Sequence, residues 1–415
     1  MREQEEHKKI KVLLIGDTHP EMIAIAKNLA MNGIDFKIVL PTYFTARESR
    51  ILCKFGVQFI SLGAWLQKRT LDSHITSDSI IRKYAFLETS TWLLKRMGYH
   101  RLSWKSAEMY KKKLSSRLPK IIESTRPNIV VSYDTIRVPR LMKIKHIVIC
   151  PMSHPVTVKE SLIESKILFP DWPEMEDEKP MGINETADYA DRIVLLSRFA
   201  KNSYISQGFN ASKLEVIHIG PINGNSNHLH PVEGSNSLLK ILFLGRMTRI
   251  KGVEALAKLS HSLNPLKFQI NLVGQCSPEI ASYIRGISDS DVLKLIENPT
   301  PNEISKYFLN SNVFALPSFN EGFNISSLEA MSYGLVPILS KNAGVAEVLE
   351  STPLARLIIE PGSIEQLKLC LNYLSDLEQE DFQYLARLSF DLSRRFSFDR
   401  FAEEFVKIMM QEIDR

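Results

Sequence analysis

Cysteine is scarce: Cys53, Cys150, Cys276 and Cys370 are scattered singly through 415 residues. That usage excludes a disulfide framework and offers no pair at the spacing of a zinc or dithiol redox motif. Long hydrophobic runs are missing too. Met1 to Lys11 is charged throughout, and the first apolar run, Val12 to Ile15, is far too short for a signal peptide or a membrane span. The expectation is a cytoplasmic protein in a reducing compartment. Charge of one sign is not in excess, since 52 Lys and Arg face 47 Asp and Glu for a net of +5. So mixed a surface does not favour nucleic acid as a partner, and an anionic small molecule needs only a local basic site. No Gly-x-Gly-x-x-Gly, phosphate-binding P-loop or zinc spacing occurs.

What is present is a repeating alternation. At this length and with 44% hydrophobic residues, the chain is too long for one ordinary core. Apolar runs of strand length alternate with helical periodicity, the pattern of β/α units around a parallel sheet. In the first half the predicted strands are Lys11 to Ile15, Asp35 to Leu40, Gln58 to Ser61, Asn128 to Ser132, His146 to Cys150 and Arg192 to Leu196. Helices such as Met22 to Met31 and Ser106 to Ser124 separate them. The pattern stops in a stretch rich in Pro, Gly, Asn and Ser, placed as a linker at 223–237 between a first domain, 1–222, and a second domain, 238–395. It restarts with Leu239 to Leu244, Gln269 to Val273, Val292 to Ile296, Val313 to Leu316 and Val336 to Leu339, with a helix at Val253 to Leu263. In the tail, 396–415, Ser397 is placed to cap a helix whose Phe401, Phe405, Ile408 and Met409 share one face and pack back toward the first domain.

Two segments carry chemistry. Pro317-Ser318-Phe319-Asn320-Glu321-Gly322-Phe323-Asn324 follows a strand and runs into a helix, the junction at which α/β sheets bind ligands. Amides near Phe323 to Ser326 suit an anion, and Glu321 and Glu329 each offer two acceptors to a vicinal diol of ribose or a hexose. Glu329 has a second reading, because Ser326-Ser327-Leu328-Glu329 matches a helix capping box. The other segment, Gly245-Arg246-Met247-Thr248-Arg249-Ile250-Lys251-Gly252, also follows a strand. Arg246 and Lys251 supply charge for a diphosphate, and Gly245 and Gly252 permit close approach. Taken alone, such a loop is more often solvated surface; its place after a strand, in the same half as Glu321, favours the diphosphate.

Together these residues resemble the retaining glycosyltransferases of family 4. The resemblance rests on the Glu321 and Glu329 pair with seven residues between, the Gly-Arg then Lys-Gly pattern, and Glu329-Ala330-Met331. It implies the α/β fold called GT-B, two Rossmann-like domains facing each other across a cleft. It also implies transfer of a hexose-type sugar from a nucleotide-diphosphate donor, UDP ahead of GDP, to a hydroxyl of a glycan, lipid-linked or small-molecule acceptor, with retention at the anomeric carbon. Arg246 and Lys251 would hold the diphosphate, Glu329 the ribose, and Glu321 with the Gly322, Phe323, Asn324 and Ile325 backbone the sugar. A histidine near the position of His154 would contact the sugar; a structural role competes for it. Asp134 and His19 occupy comparable strand ends. Where the family has a Gly-rich turn after the first strand, this chain has Gly16-Asp17-Thr18-His19-Pro20, and Asn324 replaces a common glycine.

No cofactor and no metal are expected, since basic groups and helix dipoles already serve the leaving diphosphate. Asp289-Ser290-Asp291 matches a metal-binding pattern of another glycosyltransferase fold, but it precedes a strand, away from the expected crevice. Rival readings are a non-catalytic GT-B subunit that binds sugar nucleotide and a GT-B epimerase. The basic stretch 92–120 reads either as a membrane-surface patch or as a solvated helix face.

Overall fold

The computed structural model describes residues 10–16, 20–40, 43, 48, 71–96, 100–141, 143–173, 185–221, 238–289 and 291–415. Two parallel sheets organise them. Lys11–Ile15 (β1), Asp35–Leu40 (β2), Ile80–Arg82 (β3), Ile129–Tyr133 (β4), Lys145–Cys150 (β5), Arg192–Leu195 (β6) and Leu214–Val216 (β7) lie in the order β3-β2-β1-β4-β5-β6-β7. Leu239–Leu244 (β8), Phe268–Gly274 (β9), Leu293–Glu297 (β10), Val313–Leu316 (β11), Val336–Ser340 (β12) and Ile358–Ile359 (β13) lie in the order β10-β9-β8-β11-β12-β13. The strands are runs of Val, Ile and Leu because helices cover both faces of a parallel sheet; all of β4, β11 and β12, for example, is buried.

The expected strands therefore recur within a residue or two. Gln58 to Ser61, the whole of the expected linker and His19 lie outside the described residues. Three strands were not expected, β3, β7 and β13, with three, three and two residues. Such short segments lack the length over which periodicity is readable. The helix expected at Val253 to Leu263 is α-helical only over Val253–Leu259 and tightens into a 3₁₀ turn at Ser260–Ser262.

Each sheet changes its winding direction between its first and fourth strands, that is between β1 and β4 and between β8 and β11. Side by side at the centre, those strands send their following loops to opposite sides, and the crevice left at their carboxyl ends is where α/β sheets hold ligands. Both sequence motifs leave the second sheet there: Gly245 to Gly252 after β8 and Pro317 to Asn324 after β11.

Helix Phe398–Ile413 closes the chain against the first half. Ser397 caps it, its Oγ accepting from the Arg400 amide at 3.1 Å. The helix packs on Pro20–Met31 and on β5, with Phe401, Phe405 and Met409 buried and Ile408 partly so. Full burial of a large apolar side chain contributes about 1.5–3 kcal/mol. Ionic contacts fix the register, since Glu412 Oε2 accepts from Arg192 Nε at 2.7 Å and Glu412 Oε1 lies 3.1 Å from Lys145 Nζ.

Candidate active site

The two motif loops are joined to each other by backbone. The Phe319 amide donates to the Ile250 carbonyl at 2.8 Å. Gly252 adopts φ +68°, and a Cβ there would fall 2.1 Å from the Pro317 carbonyl oxygen, so only glycine lets the basic loop lie this close to the strand end after β11. At Gly245 a Cβ would meet the Phe243 ring at 3.7 Å, an ordinary contact, so close packing does not demand glycine there.

This junction brings Lys251 and Glu321, 70 positions apart, into contact through Nζ and Oε2. Glu321 is only 8% exposed. Its backbone is held on both sides: its amide donates to the Asn342 carbonyl at 3.0 Å, and its carbonyl accepts from the Gly344 amide at 2.9 Å. Burial first, and the charge of Arg246 second, hold the Lys251 ammonium down to about 7. Arg246 itself is exposed. Two cations close enough to repel make a site that an anion would stabilise.

The helix after Glu321 begins two residues before the capping-box pattern requires. Asn324 is the N-cap of Ile325–Ser332, with Oδ1 accepting from the Ser327 amide at 2.8 Å and from Ser327 Oγ at 2.9 Å. Glu329 then lies beyond the first turn, where no capping amide needs it, so the capping-box reading of Glu329 is corrected. It is half-buried on the same helix as the amides of Ile325 and Ser326. The Phe323 ring packs on His218 at 5.3 Å and Phe396 at 6.2 Å, which leaves its backbone, not its side chain, to face a ligand. A Cβ on Gly322 would fall 1.8 Å from the Pro151 carbonyl oxygen, so this loop abuts the end of β5 in the first half.

His154 follows the segment that meets this loop, since Ser153 Oγ donates to Asn320 Oδ1 at 2.5 Å and Gly322 abuts Pro151. The histidine caps helix Pro155–Leu168, its Nδ1 accepting from the Val156 amide at 3.3 Å. Its ring meets Tyr204 edge-on at 5.1 Å and Phe209 at 5.7 Å, and burial lowers its pKa. These contacts give His154 a capping role, one residue from Ser153, which bonds to Asn320 beside Glu321. Proline directly after it was the legible signal, because Pro is favoured at the first helical position. Asp134, after β4, is pushed up to about 7 by burial, with Lys111 pulling the other way. Asp289 Oδ1 is taken by a turn, accepting from the Asp291 amide at 2.9 Å. Among the described residues no three His, Cys, Asp or Glu gather as a metal site.

Three residues of this region carried no sequence signal. Asn320, fully buried, accepts from Ser153 Oγ at 2.5 Å and donates to Ser161 Oγ at 3.2 Å. Ser197 Oγ donates to the Gly322 carbonyl at 2.6 Å. Arg249, buried within the basic loop, donates to carbonyls of the first half. Each contact joins positions 77 to 167 apart in sequence, beyond any local pattern.

Comparison with known proteins adds to this geometry. Residues 229–388 match the family model of glycosyl transferases group 1. The amylovoran biosynthesis glycosyltransferase of Erwinia amylovora is 27% identical over 165 residues, 37% of this chain and 40% of that protein. The GDP-mannose:cellobiosyl-diphosphopolyprenol alpha-mannosyltransferase of Komagataeibacter xylinus is 26% identical over 183 residues, 42% of this chain and 46% of that protein. The chain thus spans less than half the length of these curated relatives. Among solved structures, the Anabaena protein HepE in complex with UDP and glucose superposes with a TM-score of 0.58 at 13% identity, covering 97% of this chain and 100% of that one. The fold is the GT-B arrangement of two parallel α/β sheets.

Proposed function

We propose that this chain is a retaining glycosyltransferase of the family 4 type, moving a hexose-type sugar from a nucleotide-diphosphate sugar to an acceptor hydroxyl. The observation that carries the reading is the contact of Lys251 with Glu321 at the switch point of the second sheet, beside Arg246. The family match over 229–388 spans all of these residues. In the proposed complex the diphosphate lies against Arg246 and Lys251, Glu329 accepts from the ribose hydroxyls, and Glu321 with the Gly322 to Ile325 backbone holds the sugar.

The bond from the anomeric carbon to the donor phosphate breaks while a bond to the acceptor oxygen forms on the same face. The acceptor proton passes to the leaving phosphate oxygen, so no protein base is required. Catalysis then rests on positioning and on positive charge where negative charge develops. No metal is needed for that step, and neither a metal nor an organic cofactor is part of the proposal.

UDP is the proposed donor nucleotide, being the ligand of the Anabaena neighbour; GDP is the competing outcome, since the Komagataeibacter relative is named for GDP-mannose. A thermal-shift panel of UDP, GDP and ADP sugars decides between them. In the same assay Glu329→Ala should abolish the donor-induced shift while leaving the unliganded melting point within about 2 °C of wild type. A fall in the unliganded melting point with an intact donor shift would return Glu329 to a structural role. Tight donor binding with neither transfer nor nucleotide release would favour a non-catalytic subunit, and interconversion of donor epimers an epimerase.

For the acceptor we propose a glycan, a lipid-linked sugar or a small molecule, and for the chain a cytoplasmic location with contact to the inner membrane face. No helix among the described residues is long and apolar enough to cross a membrane. On helix His100–Thr125, Lys105, Lys112, Lys113 and Lys120 are exposed together with Leu102 and Met109, a basic face with apolar residues set into it. Side chains of Trp92, Lys95, Arg96, Arg101 and Trp104 lie outside the described residues. The chain should sediment with phosphatidylglycerol vesicles at low salt and not with phosphatidylcholine; equal recovery with both would remove the membrane contact.

A further inference from the structure

Arg249 stands two residues before Lys251 in the basic loop, yet it is 5% exposed and turned toward the first half of the chain. Its Nη1 donates to the Phe169 carbonyl at 2.7 Å and lies 3.5 Å from the Ser165 carbonyl; its Nη2 donates to the Trp172 carbonyl at 2.7 Å. These carbonyls gather at and beyond the last turn of helix Pro155–Leu168, the negative end of the helix dipole; that of Ser165 already accepts from the Phe169 amide, and those of Phe169 and Trp172 lie past the helix. Burying a guanidinium is costly unless its donors are met, and here carbonyls meet it.

The same helix holds the other donor loop. Ser161 and Ser165 lie one turn apart on its buried face. Asn320, immediately before Glu321, bonds to Ser161 and to Ser153, just before the helix. Phe169 then meets Phe319 edge-on at 6.1 Å with Lys258 Nζ 5.2 Å from its ring centroid, and Trp172 meets Tyr283 at 5.7 Å. One first-half helix is therefore gripped by the loop that carries Lys251 and by the loop that carries Glu321.

We infer that Arg249 is a positioning residue that registers the diphosphate loop on the first half of the chain, so that Lys251 and Glu321 reach their working arrangement only when helix Pro155–Leu168 is seated. The inference rests on the proposed nucleotide-sugar site. Arg249, Ile250 and Lys251 form a single 3₁₀ turn, so displacement of the guanidinium displaces the ammonium. The Phe319 to Ile250 bond passes the displacement to the Glu321 loop. An unseated helix would leave the donor bound but open to water, and hydrolysis would then gain on transfer.

The test uses the full chain with Arg249→Met and Arg249→Lys, measuring sugar transfer and donor hydrolysis separately. For Arg249→Met, kcat for transfer should fall about 10- to 100-fold, the effect of misplacing reacting groups by about 1 Å. Donor KM should change by less than about 3-fold, and the ratio of hydrolysis to transfer should rise at least about 5-fold, as expected when closure fails to exclude water. Arg249→Lys should recover part of the loss, because an ammonium cannot reach all the carbonyls that the fork spans. An unchanged hydrolysis-to-transfer ratio in both variants, with activity lost only in proportion to folded protein, would overturn the inference. Amide hydrogen exchange in Arg249→Lys gives a readout without turnover: Pro155–Leu168 should exchange faster while the second sheet does not, and unchanged exchange in that helix would also overturn it. Failure of the wild type to turn over any donor would instead sink the proposed function, leaving the exchange result to stand by itself.

Discussion

Replacing Lys251 with methionine is expected to lower kcat/KM for the donor by about 10³-fold, the scale set by removing a preorganised donor aimed at developing negative charge. Methionine keeps an apolar stem in the loop and removes only the ammonium. Two effects combine: the leaving diphosphate loses one of its two cations, and Glu321, 8% exposed, is left buried without its counter-ion. Breaking a buried pair in that way costs about 3–5 kcal/mol of stability, so folded protein must be quantified alongside activity. Arg246→Ala is the companion, because Arg246 is exposed and its loss should reduce turnover without moving the melting point.

The pH profile separates the charge from the fold. In the unliganded protein Lys251 is held at about 7 by burial and by Arg246. A bound diphosphate favours the ammonium and raises that value. Between the two values donor binding must take up a proton, so kcat/KM should fall up to about tenfold per pH unit above 7. Below pH 7 the group is charged in both states and adds no slope. In Lys251→Met the descending limb assigned to this group should vanish; its persistence would place the titration elsewhere.

Glu321→Gln is expected to reduce kcat for transfer by about 10²-fold, with a split that a general loss of structure would not produce. Glutamine fits the same space but loses the charge that faces the sugar and one of its acceptors. Removal of the carboxylate also frees Lys251 from a competitor for its ammonium. Binding of UDP or GDP alone, measured calorimetrically, should therefore be unchanged or tighter while transfer is lost. Weaker nucleotide binding in parallel with weaker transfer would mean that Glu321 holds the loop rather than the sugar.

The central strands were legible in sequence because a buried parallel strand is a run of branched aliphatic residues, and Val313–Leu316 was placed to the residue. Edge strands such as Ile358–Ile359 are too short to show a period. The site was legible as two loops, since charge and glycine at a strand end are local features. Their meeting was not, because it depends on the strand order that puts β8 beside β11. Glu329 was ambiguous because Ser326 and Asn324 both suit a cap, and a two-residue choice of helix start decides what the carboxylate is free to do. Arg249 shows the limit most clearly: three basic residues alternate with others in one short loop, and only tertiary contacts separate the exposed Arg246, the half-buried Lys251 and the buried Arg249.

The most direct test is a crystal structure of the wild-type chain soaked with the nucleoside diphosphate that gives the largest thermal shift. Lys251 Nζ and the Arg246 guanidinium should each lie within about 3 Å of diphosphate oxygens, a charge-assisted hydrogen-bond distance, with the ribose on Glu329. A diphosphate bound elsewhere, with Lys251 still closed on Glu321 and Glu329 far from the ribose, would contradict the account.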